Sequence, residues 1–471
     1  MKHFVQTIFC PPNDKFEEYN LESRLTDETF RYLKDMKINR ILGWGWDSRE
    51  SSIIKTLELC EKYDIEYYLA TSISDEYVAI PIAHKGHKPF CELTKEELDD
   101  LDNRFINNFN KYTSYKALKG IIFADELGYL MFPGLLHAKE VFEKAFPGYD
   151  FYTNFLSYSI NENMFWASFV PLKEDVPEEL KPFKLEGKNS ITFENRYNWF
   201  NVFVDGLLAN AHFNCISFDK YPYEDCFAKT GPFMHYGYID GVAFFRNKKD
   251  QYHSNFFSYI GAGTWFKPSR HQQTEEEFLL TMNINVLYGL DGFGYFPGFY
   301  PIDFVVEDGF KNSDNGLAGL IDINGKPTKF YYCLKSQNEY FSRIEDDILS
   351  SSFIGVKSYG KYYNGFTYDD IKDMPDNEVI YMGDIPHFYK MDKQSIDVIN
   401  ASNNVVISEF NKDNKKRFYL VNMSTLYSND VTISLPNGTY TLESIEGTKS
   451  NLSNQISISI KPGQGVYLIE D

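Results

Sequence analysis

Carboxyl side chains follow two of the apolar runs in this sequence. Asp125 and Glu126 come directly after the run 120–124, and Asp219 ends the run 214–219. Cleavage of a glycosidic bond needs one carboxyl group that protonates the leaving oxygen and usually a second that acts as nucleophile or as base for water. A neighbouring carboxylate raises the pKa of such an acid by like-charge repulsion. Glu126 is therefore the candidate acid/base residue, with Asp219 or Asp125 as the assisting carboxylate.

Each of these acids also has a purely structural interpretation. Two acids after a strand often cap the helix that follows, but here Leu127 and Gly128 come next and the helical pattern resumes only near Pro133. Asp219 is followed by Lys220, so these two side chains could instead form a surface ion pair. The sequence leaves both interpretations open.

Residues that follow the other predicted strands are candidate contacts for a substrate. Aromatic rings bury large apolar areas, and in a cleft they offer flat faces on which a sugar can stack. The candidate substrate-binding residues are Trp46, Asp47, Tyr221, Trp265 and Tyr295. Core packing is the alternative for the two tryptophans, and an exposed loop position is the alternative for Asp47.

The elements that position these residues follow a regular pattern. From residue 3 to about 348, short apolar runs alternate with longer amphipathic stretches, which is typical of βα units around a parallel sheet. The runs predict strands at 3–9, 38–46, 65–71, 120–126, 149–154, 214–219, 256–266 and 292–296. We therefore predict a (β/α)8 TIM barrel over residues 1–350, whose active site lies at the C-terminal ends of the strands.

The pattern changes after residue 350. Short alternating strands are separated there by turns such as 436–439 and 462–465, which contain Pro, Asn and Gly. Short strands at this spacing, without a long helical stretch, are typical of an antiparallel sandwich. We predict a C-terminal antiparallel β-sandwich domain over residues 351–471.

The charge and composition narrow the classes of partner. The formal net charge of −20 argues against a nucleic-acid partner, because phosphate binding needs clustered Lys and Arg. It also disfavours anionic membranes and acidic glycans, so a neutral carbohydrate is the simplest substrate class. No stretch approaches the roughly 20 apolar residues of a membrane span. The oligomeric state is not indicated.

The cysteine and histidine spacings predict neither a metal site nor a cofactor. The 6 cysteines show no CxxC pair, and the 9 histidines show no HxH or HExxH spacing. The first residues contain an apolar run that is too short for a signal peptide and that reads as the first strand. We expect a reduced, cytoplasmic protein, unless a leader has already been removed from an extracellular one.

Three motifs carry a family resemblance. The stretches Phe123-Ala-Asp-Glu-Leu, Ser217-Phe-Asp-Lys-Tyr-Pro-Tyr and Tyr288-Gly-Leu-Asp-Gly-Phe-Gly-Tyr-Phe resemble TIM-barrel glycoside hydrolases of gut and soil bacteria. The layout is more loosely similar to that of β-galactosidase-like enzymes. The Asp-Glu pair also resembles that of β-N-acetylhexosaminidases, which implies that Asp125 would orient the substrate's acetamido group. Glu126 would then protonate the leaving group, and Tyr221 would bond the acetamido oxygen.

Our leading hypothesis is therefore an enzyme that hydrolyses O-glycosidic bonds of a neutral oligosaccharide or glycan. One alternative is a substrate-assisted N-acetylhexosaminidase that uses Asp125 and Glu126. Another is a non-catalytic sugar-binding protein on a degenerate barrel. A lyase or aldolase is a fourth class, but Lys220 is the one lysine that follows a predicted strand end and could form a Schiff base.

Overall fold

Eight parallel strands form the first part of the fold, in the order β5-β4-β3-β2-β1-β8-β7-β6. The computed structural model describes residues 2–15, 17, 22–43, 47–82, 86–156, 162–170, 172, 176, 196–223, 234, 236–263, 273–299, 319–322, 324–360, 386 and 388–471. The strands are β1 (Val5–Phe9), β2 (Arg40–Leu42), β3 (Glu66–Ala70), β4 (Leu118–Asp125), β5 (Asp150–Asn154), β6 (Cys215–Asp219), β7 (Asn255–Gly261) and β8 (Gly292–Phe296). The predicted barrel is confirmed.

Helices connect the strands and cover the outside of the barrel. They are α1 (Asp27–Asp35), α2 (Glu50–Tyr63), α3 (Ser74–Tyr77), α4 (Lys95–Asn110), α5 (Phe132–Ala145), α6 (Glu162–Ala167), α7 (Arg196–Leu208), α8 (Tyr236–Tyr252), α9 (Glu275–Leu287) and α10 (Lys329–Leu349). Short 3-10 turns span Phe90–Glu92 and Tyr129–Met131. In the part of the chain that the structure describes, no helix has both the length and the apolar character needed to cross a membrane.

Capping boxes begin helices α4 and α9. The Thr94 hydroxyl accepts a hydrogen bond from the Glu97 N–H at 3.3 Å, and the Glu97 carboxylate accepts one from the Thr94 N–H at 2.7 Å. Thr274 and Glu277 make the same reciprocal pair at the start of α9. These bonds satisfy amide groups that a helix leaves unpaired in its first turn, so they fix where α4 and α9 begin.

The barrel closes between β5 and β6, which are the two ends of the sheet. Among the described residues, these strands share one parallel bridge, Phe155 to Phe218, and the Phe155 N–H donates to the Ser217 carbonyl at 2.8 Å. A side-chain bond reinforces the junction, because Asn214 Nδ2 donates to Asp150 Oδ1 at 2.6 Å. We call this junction of β5 and β6 the seam.

Side chains alternate between the interior of the barrel and the layer beneath the helices. The interior holds a mostly aromatic cluster of Phe9, Cys10, Leu42, Tyr68, Ile122, Tyr152, Phe257 and Tyr259. The intervening residues face the helices in a larger apolar core. At about 25 cal/mol per Å² of apolar area, these two layers supply most of the free energy that favours folding.

The predicted C-terminal sandwich is also confirmed. Antiparallel strands form a six-stranded sheet in the order β15-β14-β17-β12-β11-β9 and a three-stranded sheet in the order β10-β13-β16. The strands are β9 (Ser352–Tyr359), β10 (Asp397–Ala401), β11 (Val405–Lys412), β12 (Lys415–Asn422), β13 (Asn429–Ser434), β14 (Tyr440–Ser444), β15 (Gly447–Leu452), β16 (Gln455–Ile460) and β17 (Gly465–Glu470). Inward residues of both sheets, such as Ile407, Leu420 and Ile433, pack into one core.

The sandwich packs against α9 of the barrel. Asn283 Nδ2 on this helix donates to the Gly463 carbonyl at 2.9 Å, and the Tyr419 hydroxyl on β12 donates to Asn283 Oδ1. Every residue of α9 from Glu277 to Leu287 is buried. Helix α9 therefore packs against both the barrel and the sandwich.

Candidate active site

A bulge in β4 turns Asp125 into the barrel. Ile122 pairs with Tyr152 on β5, but the next pair is Ala124 with Thr153, so β4 contains one extra residue at this point. Without the extra residue, strict alternation from the inward Ile122 would aim Asp125 at the helices. The bulge reverses the alternation, and Asp125 lies opposite Asn154 at the mouth.

Glu126 reaches the same mouth through an unusual backbone conformation. Its φ is 51°, in the left-handed region that costs a residue with a side chain about 1–2 kcal/mol. Its N–H still donates to the Asn154 carbonyl at 3.1 Å, so the strand's hydrogen bonding continues through the turn. Strain of this kind persists where the surroundings enforce it, which is common at functional sites. Two consecutive acids therefore point into one space.

Asp219 lies on β6, on the other side of the seam, and the regular alternation of side chains along this strand points it into the barrel. On β6, Ile216 and Phe218 belong to the core beneath the helices, whereas Ser217 contacts the interior residues Tyr152 and Asn154. Asp219 is the next inward position, at the C-terminal end of the strand. The three acids predicted from sequence are thus brought together, and they come from the ends of β4 and β6.

The carboxyl groups are in direct contact. The side chains of Glu126 and Asp219 are close enough to share a proton between them. Burial, followed by repulsion from Asp219 and Asp125, raises the pKa of Glu126 well above its usual range. Burial also raises the pKa of Asp219, although hydrogen bonding with Glu126 opposes the rise. Both pKa values are raised, so the pair holds a proton at a pH where isolated carboxyl groups have lost theirs.

Asp125 is the third member of the cluster. Burial and then repulsion from Asp219 raise its pKa to about 7, and a hydrogen bond from Asn154 opposes the rise. Like charges this close cannot all be ionised at low energetic cost, so the cluster binds protons at a pH where isolated carboxyl groups have lost them. The site can both donate a proton and present a carboxylate, which is the pair of tasks that acid-catalysed bond cleavage requires.

One amide holds two of the three acids. Asn154 Nδ2 donates to Asp125 Oδ1 at 3.0 Å and to Asp219 Oδ1 at 3.3 Å. Its oxygen accepts a hydrogen bond from Ser217 Oγ at 2.7 Å. Because the Ser217 proton is used in that bond, Ser217 Oγ accepts from the Tyr152 hydroxyl. Tyr152 in turn lies 3.0 Å from the Tyr259 hydroxyl, which completes a chain of hydrogen bonds through the interior.

Aromatic rings stand beside the acids. Tyr221 follows β6, is partly exposed, and lies with its ring centroid 6.0 Å from that of Phe296 at the end of β8. Phe9 at the end of β1 contacts Phe296 with a centroid distance of 5.7 Å. These rings form one wall of the mouth and offer a surface on which an apolar sugar face can rest.

Of the remaining candidates, the described Tyr295 and Asp47 have hydrogen-bond partners of their own. Tyr295 is fully buried beneath the helices, where its hydroxyl donates to Gln6 Oε1 at 2.6 Å, so the structure does not bring it to the acids. Asp47 accepts two hydrogen bonds from Arg49 at 2.7 Å and one from the Asp14 N–H at 2.9 Å, which ties the β1 loop to the start of α2. Trp46 and Trp265 lie outside the described residues.

Sequence reasoning missed Asn154, Ser217, Tyr152 and Tyr259. Asn154 had a detectable signal, because it is the polar residue that ends the predicted fifth strand. Ser217 sits two residues before Asp219, so strand alternation places both on one face. The two tyrosines had no such signal, since interior tyrosines and core tyrosines share the same apolar surroundings in sequence. Among the described residues, no group of three or more His, Cys, Asp or Glu is arranged to hold a metal ion.

Comparisons with known proteins bear on the fold. No protein-family model matches the chain, and no curated protein matches it either. A solved family 39 glycoside hydrolase from the gut symbiont Bacteroides cellulosilyticus WH2 is similar with a TM-score of 0.51 and 10% identity, over 99% of this chain and 80% of that one. At this identity the similarity shows a shared fold.

Two β-galactosidases are similar at lower scores. The enzyme from the psychrophilic Marinomonas ef1 has a TM-score of 0.47 and 8% identity, over 76% of this chain and 63% of that one. The enzyme from the Antarctic haloarchaeon Halorubrum lacusprofundi has a TM-score of 0.47 and 10% identity, over 79% of this chain and 63% of that one. The chain thus spans under two thirds of the length of either β-galactosidase.

Proposed function

We propose that this protein is a glycoside hydrolase that cleaves O-glycosidic bonds of a neutral oligosaccharide or glycan. Glu126 is its acid/base residue and Asp219 its nucleophile. The observation that supports this assignment best is the meeting of Glu126, Asp219 and Asp125 at the C-terminal mouth of the barrel, where Asn154 bonds two of them. A neutral substrate is favoured because a third acid, Asp125, is bonded to the same Asn154 amide as Asp219 and would repel a sugar carboxylate.

The reaction runs in two steps. In the first, Glu126 gives its proton to the glycosidic oxygen while the Asp219 carboxylate attacks the anomeric carbon, so that the alcohol leaves and a glycosyl ester forms on Asp219. In the second, the Glu126 carboxylate takes a proton from water, and the resulting hydroxyl displaces Asp219 from the anomeric carbon. Both residues return to their starting forms. The negative charge of the cluster stabilises the positive charge that develops on the sugar.

The contact between the two carboxyl groups favours retention of configuration. An inverting enzyme needs a separation of about 6.5–9.5 Å to hold a water molecule between the carboxyl groups, whereas a retaining enzyme needs about 5–5.5 Å. Side chains close enough to share a proton are nearer to the retaining separation than to the inverting one. The first product of hydrolysis should therefore have the same anomeric configuration as the substrate.

A second candidate function follows from the inward position of Asp125. In a substrate-assisted N-acetylhexosaminidase, Asp125 would orient the acetamido group, which would attack the anomeric carbon in place of Asp219. The bulge that aims Asp125 into the mouth next to Glu126 favours this alternative. An aryl N-acetylhexosaminide as the preferred substrate, with more activity lost in Asp125→Asn than in Asp219→Asn, would support it.

The experiment is a panel of aryl glycosides with the wild-type protein and the Glu126→Gln variant. Loss of the general acid should lower kcat/KM by about 10²–10⁴-fold on substrates with poor leaving groups. The loss should be much smaller on dinitrophenyl glycosides, whose leaving group needs no proton. The matched control is Glu96→Gln, the same substitution on the exposed surface of α4, which should leave activity unchanged.

Two outcomes would overturn the proposal. Full activity of Glu126→Gln on every substrate would remove Glu126 from the chemistry. Sugar binding by the wild-type protein without turnover across the panel would instead identify a sugar-binding protein on a glycosidase-like fold. Inversion of configuration, read from the anomeric proton signals of the first product, would retain the hydrolase but reject Asp219 as nucleophile.

A further inference from the structure

The chain of hydrogen bonds inside the barrel is polarised in one direction. Ser217 Oγ donates to the oxygen of the Asn154 amide at 2.7 Å, and that amide can then offer only its N–H groups to the acids. Ser217 must itself accept from Tyr152, because it has a single proton to give. The Tyr152–Tyr259 contact at 3.0 Å continues the chain away from the acids.

Every link of this chain is buried. Asn154 is 3% exposed, and Ser217, Tyr152 and Tyr259 are buried to a similar or greater degree. A buried amide turned the other way would place its oxygen against two carboxylates and leave its N–H groups facing the Ser217 hydroxyl. That arrangement is costly, because buried polar groups without complementary partners lose about 1–3 kcal/mol each. The chain therefore fixes the orientation of the amide.

The amide treats the three acids unequally. Its N–H groups reach Asp125 and Asp219, where they stabilise the ionised forms, and Asn154 Nδ2 makes no described hydrogen bond to the Glu126 side chain. Glu126 meets Asn154 through its backbone N–H. A donor stabilises a carboxylate and not a carboxylic acid, so the two contacted acids give up their protons more readily than the third.

Resting on the proposed function, we propose that Asn154 is a positioning residue that keeps the catalytic proton on Glu126. Its amide, oriented by Ser217 and Tyr152, favours the ionised forms of Asp219 and Asp125, and its described bonds give Glu126 no such donor. In this role Asn154 acts through the acids and need not touch the substrate.

The first test is the pH profile of kcat/KM for Asn154→Leu and Ser217→Ala. Loss of the amide donor should raise the pKa of the assisting carboxylate, so the acid limb of the profile should move to higher pH by about one unit. Ser217→Ala keeps the amide but frees its orientation, and it should move the limb in the same direction by a smaller amount. The second variant also covers the case in which Asn154→Leu fails to fold.

The matched control is Ser258→Ala on the neighbouring strand β7. Ser258 is equally buried, but its hydroxyl bonds Asn285 Oδ1 at 2.6 Å and lies near Tyr238 on the helix side of the barrel. Its removal should lower stability without moving the pH profile. The proposal would be overturned if Asn154→Leu and Ser217→Ala lowered the maximal kcat/KM but left the pH midpoints of the profile at their wild-type values.

The second test does not depend on activity. Raised pKa values in the folded protein make stability fall as pH rises, and loss of the amide should steepen that fall. The drop in Tm between pH 5 and pH 8 should therefore be larger in Asn154→Leu and Ser217→Ala than in wild type, and unchanged in Ser258→Ala. Unchanged drops in both variants would reject the positioning role. If the wild-type protein hydrolyses no glycoside, the proposed function is rejected. The Tm measurements would still show whether Asn154 lowers the pKa of the acids that it contacts.

Discussion

Replacement of Asp125 by Asn should stabilise the protein, and more so at high pH. The pKa of Asp125 rises from 3.8 to about 7 on folding, chiefly through burial. The folded protein therefore holds a proton that the unfolded chain has released, and its stability falls as pH rises between those values. At about 1.4 kcal/mol per pKa unit, the raised pKa of Asp125 lowers the free energy of unfolding by about 4 kcal/mol at pH 8 and by about 2 kcal/mol at pH 5.

The measurement is the difference in Tm between Asp125→Asn and wild type at the two pH values. Asn is nearly isosteric with Asp, and its oxygen can still accept the hydrogen bond from Asn154 Nδ2. The gain in Tm should be several degrees at pH 8 and about half as large at pH 5. The same variant should lose activity, because an acid at the mouth of the barrel has been neutralised.

Asp47→Asn is the matched control with the opposite sign. Burial raises the pKa of Asp47, but hydrogen bonds from Arg49 and from the Asp14 N–H outweigh that effect and hold the pKa below 3.8. Its stabilising contribution is fully present above pH 3.8 and is lost only as pH falls further. Asp47→Asn should therefore lower Tm equally at pH 5 and pH 8. An Asp125→Asn variant that is neutral at pH 8, or whose gain does not shrink at pH 5, would refute the reasoning.

Two further predictions concern packing and buried charge. A Cβ atom at Gly294 would lie 2.5 Å from the Tyr259 ring, so Gly294→Ala should lower the free energy of unfolding by about 1–3 kcal/mol, and an unchanged denaturation midpoint would contradict this contact. The Lys248 side chain is 2% exposed and lies 2.6 Å from Asp205, so Lys248→Met should cost about 1.5–3 kcal/mol by removing this charged hydrogen bond, although Asp205 keeps its bond from the Tyr252 hydroxyl. Lys95→Met, at a side chain that is 90% exposed, should change stability by less than about 1 kcal/mol, and equal losses in the two variants would contradict the pairing.

Much of the fold was predictable because buried apolar residues recur in the sequence at the period of the strand or helix that contains them. The eighth strand was predicted at 292–296 and is observed there, since its apolar run is bounded by glycine and by a proline. Helix α10 (Lys329–Leu349) belongs to the amphipathic stretches of the predicted pattern, because one of its faces is buried and the other is polar.

Helix α8 was not predicted, and the reason is its surroundings. Buried residues occur on most of its circumference, including Ile239, Val242 and Phe244, and even its Lys248 is covered. A helix that is buried nearly all round has no polar face and hence no 3.6-residue pattern to recognise. The short helix α6 (Glu162–Ala167) was likewise assigned to a loop.

The acids of the site were predictable, but their arrangement was not. Asp125, Glu126 and Asp219 stand after apolar runs, and the rule that barrel strands end at one mouth brings them together. Strict alternation would have turned Asp125 toward the helices, and only the bulge at Ile122–Ala124 reverses it. A bulge is a property of the pairing between two strands, so one strand's sequence carries little sign of it.

The number of backbone hydrogen bonds between neighbouring strands differs around the barrel, and the seam differs most from the other junctions. Seven junctions carry ladders of backbone hydrogen bonds, whereas among the described residues β5 and β6 share one bridge and are held mainly by side chains. Glu126 lies on the β4–β5 side of that junction and Asp219 on the β6 side, so a change in the spacing of β5 and β6 changes the distance between these two carboxyl groups. Substitutions at Asn154 and Ser217, which bond across the junction, should therefore alter that distance more than substitutions on the strands of the other junctions.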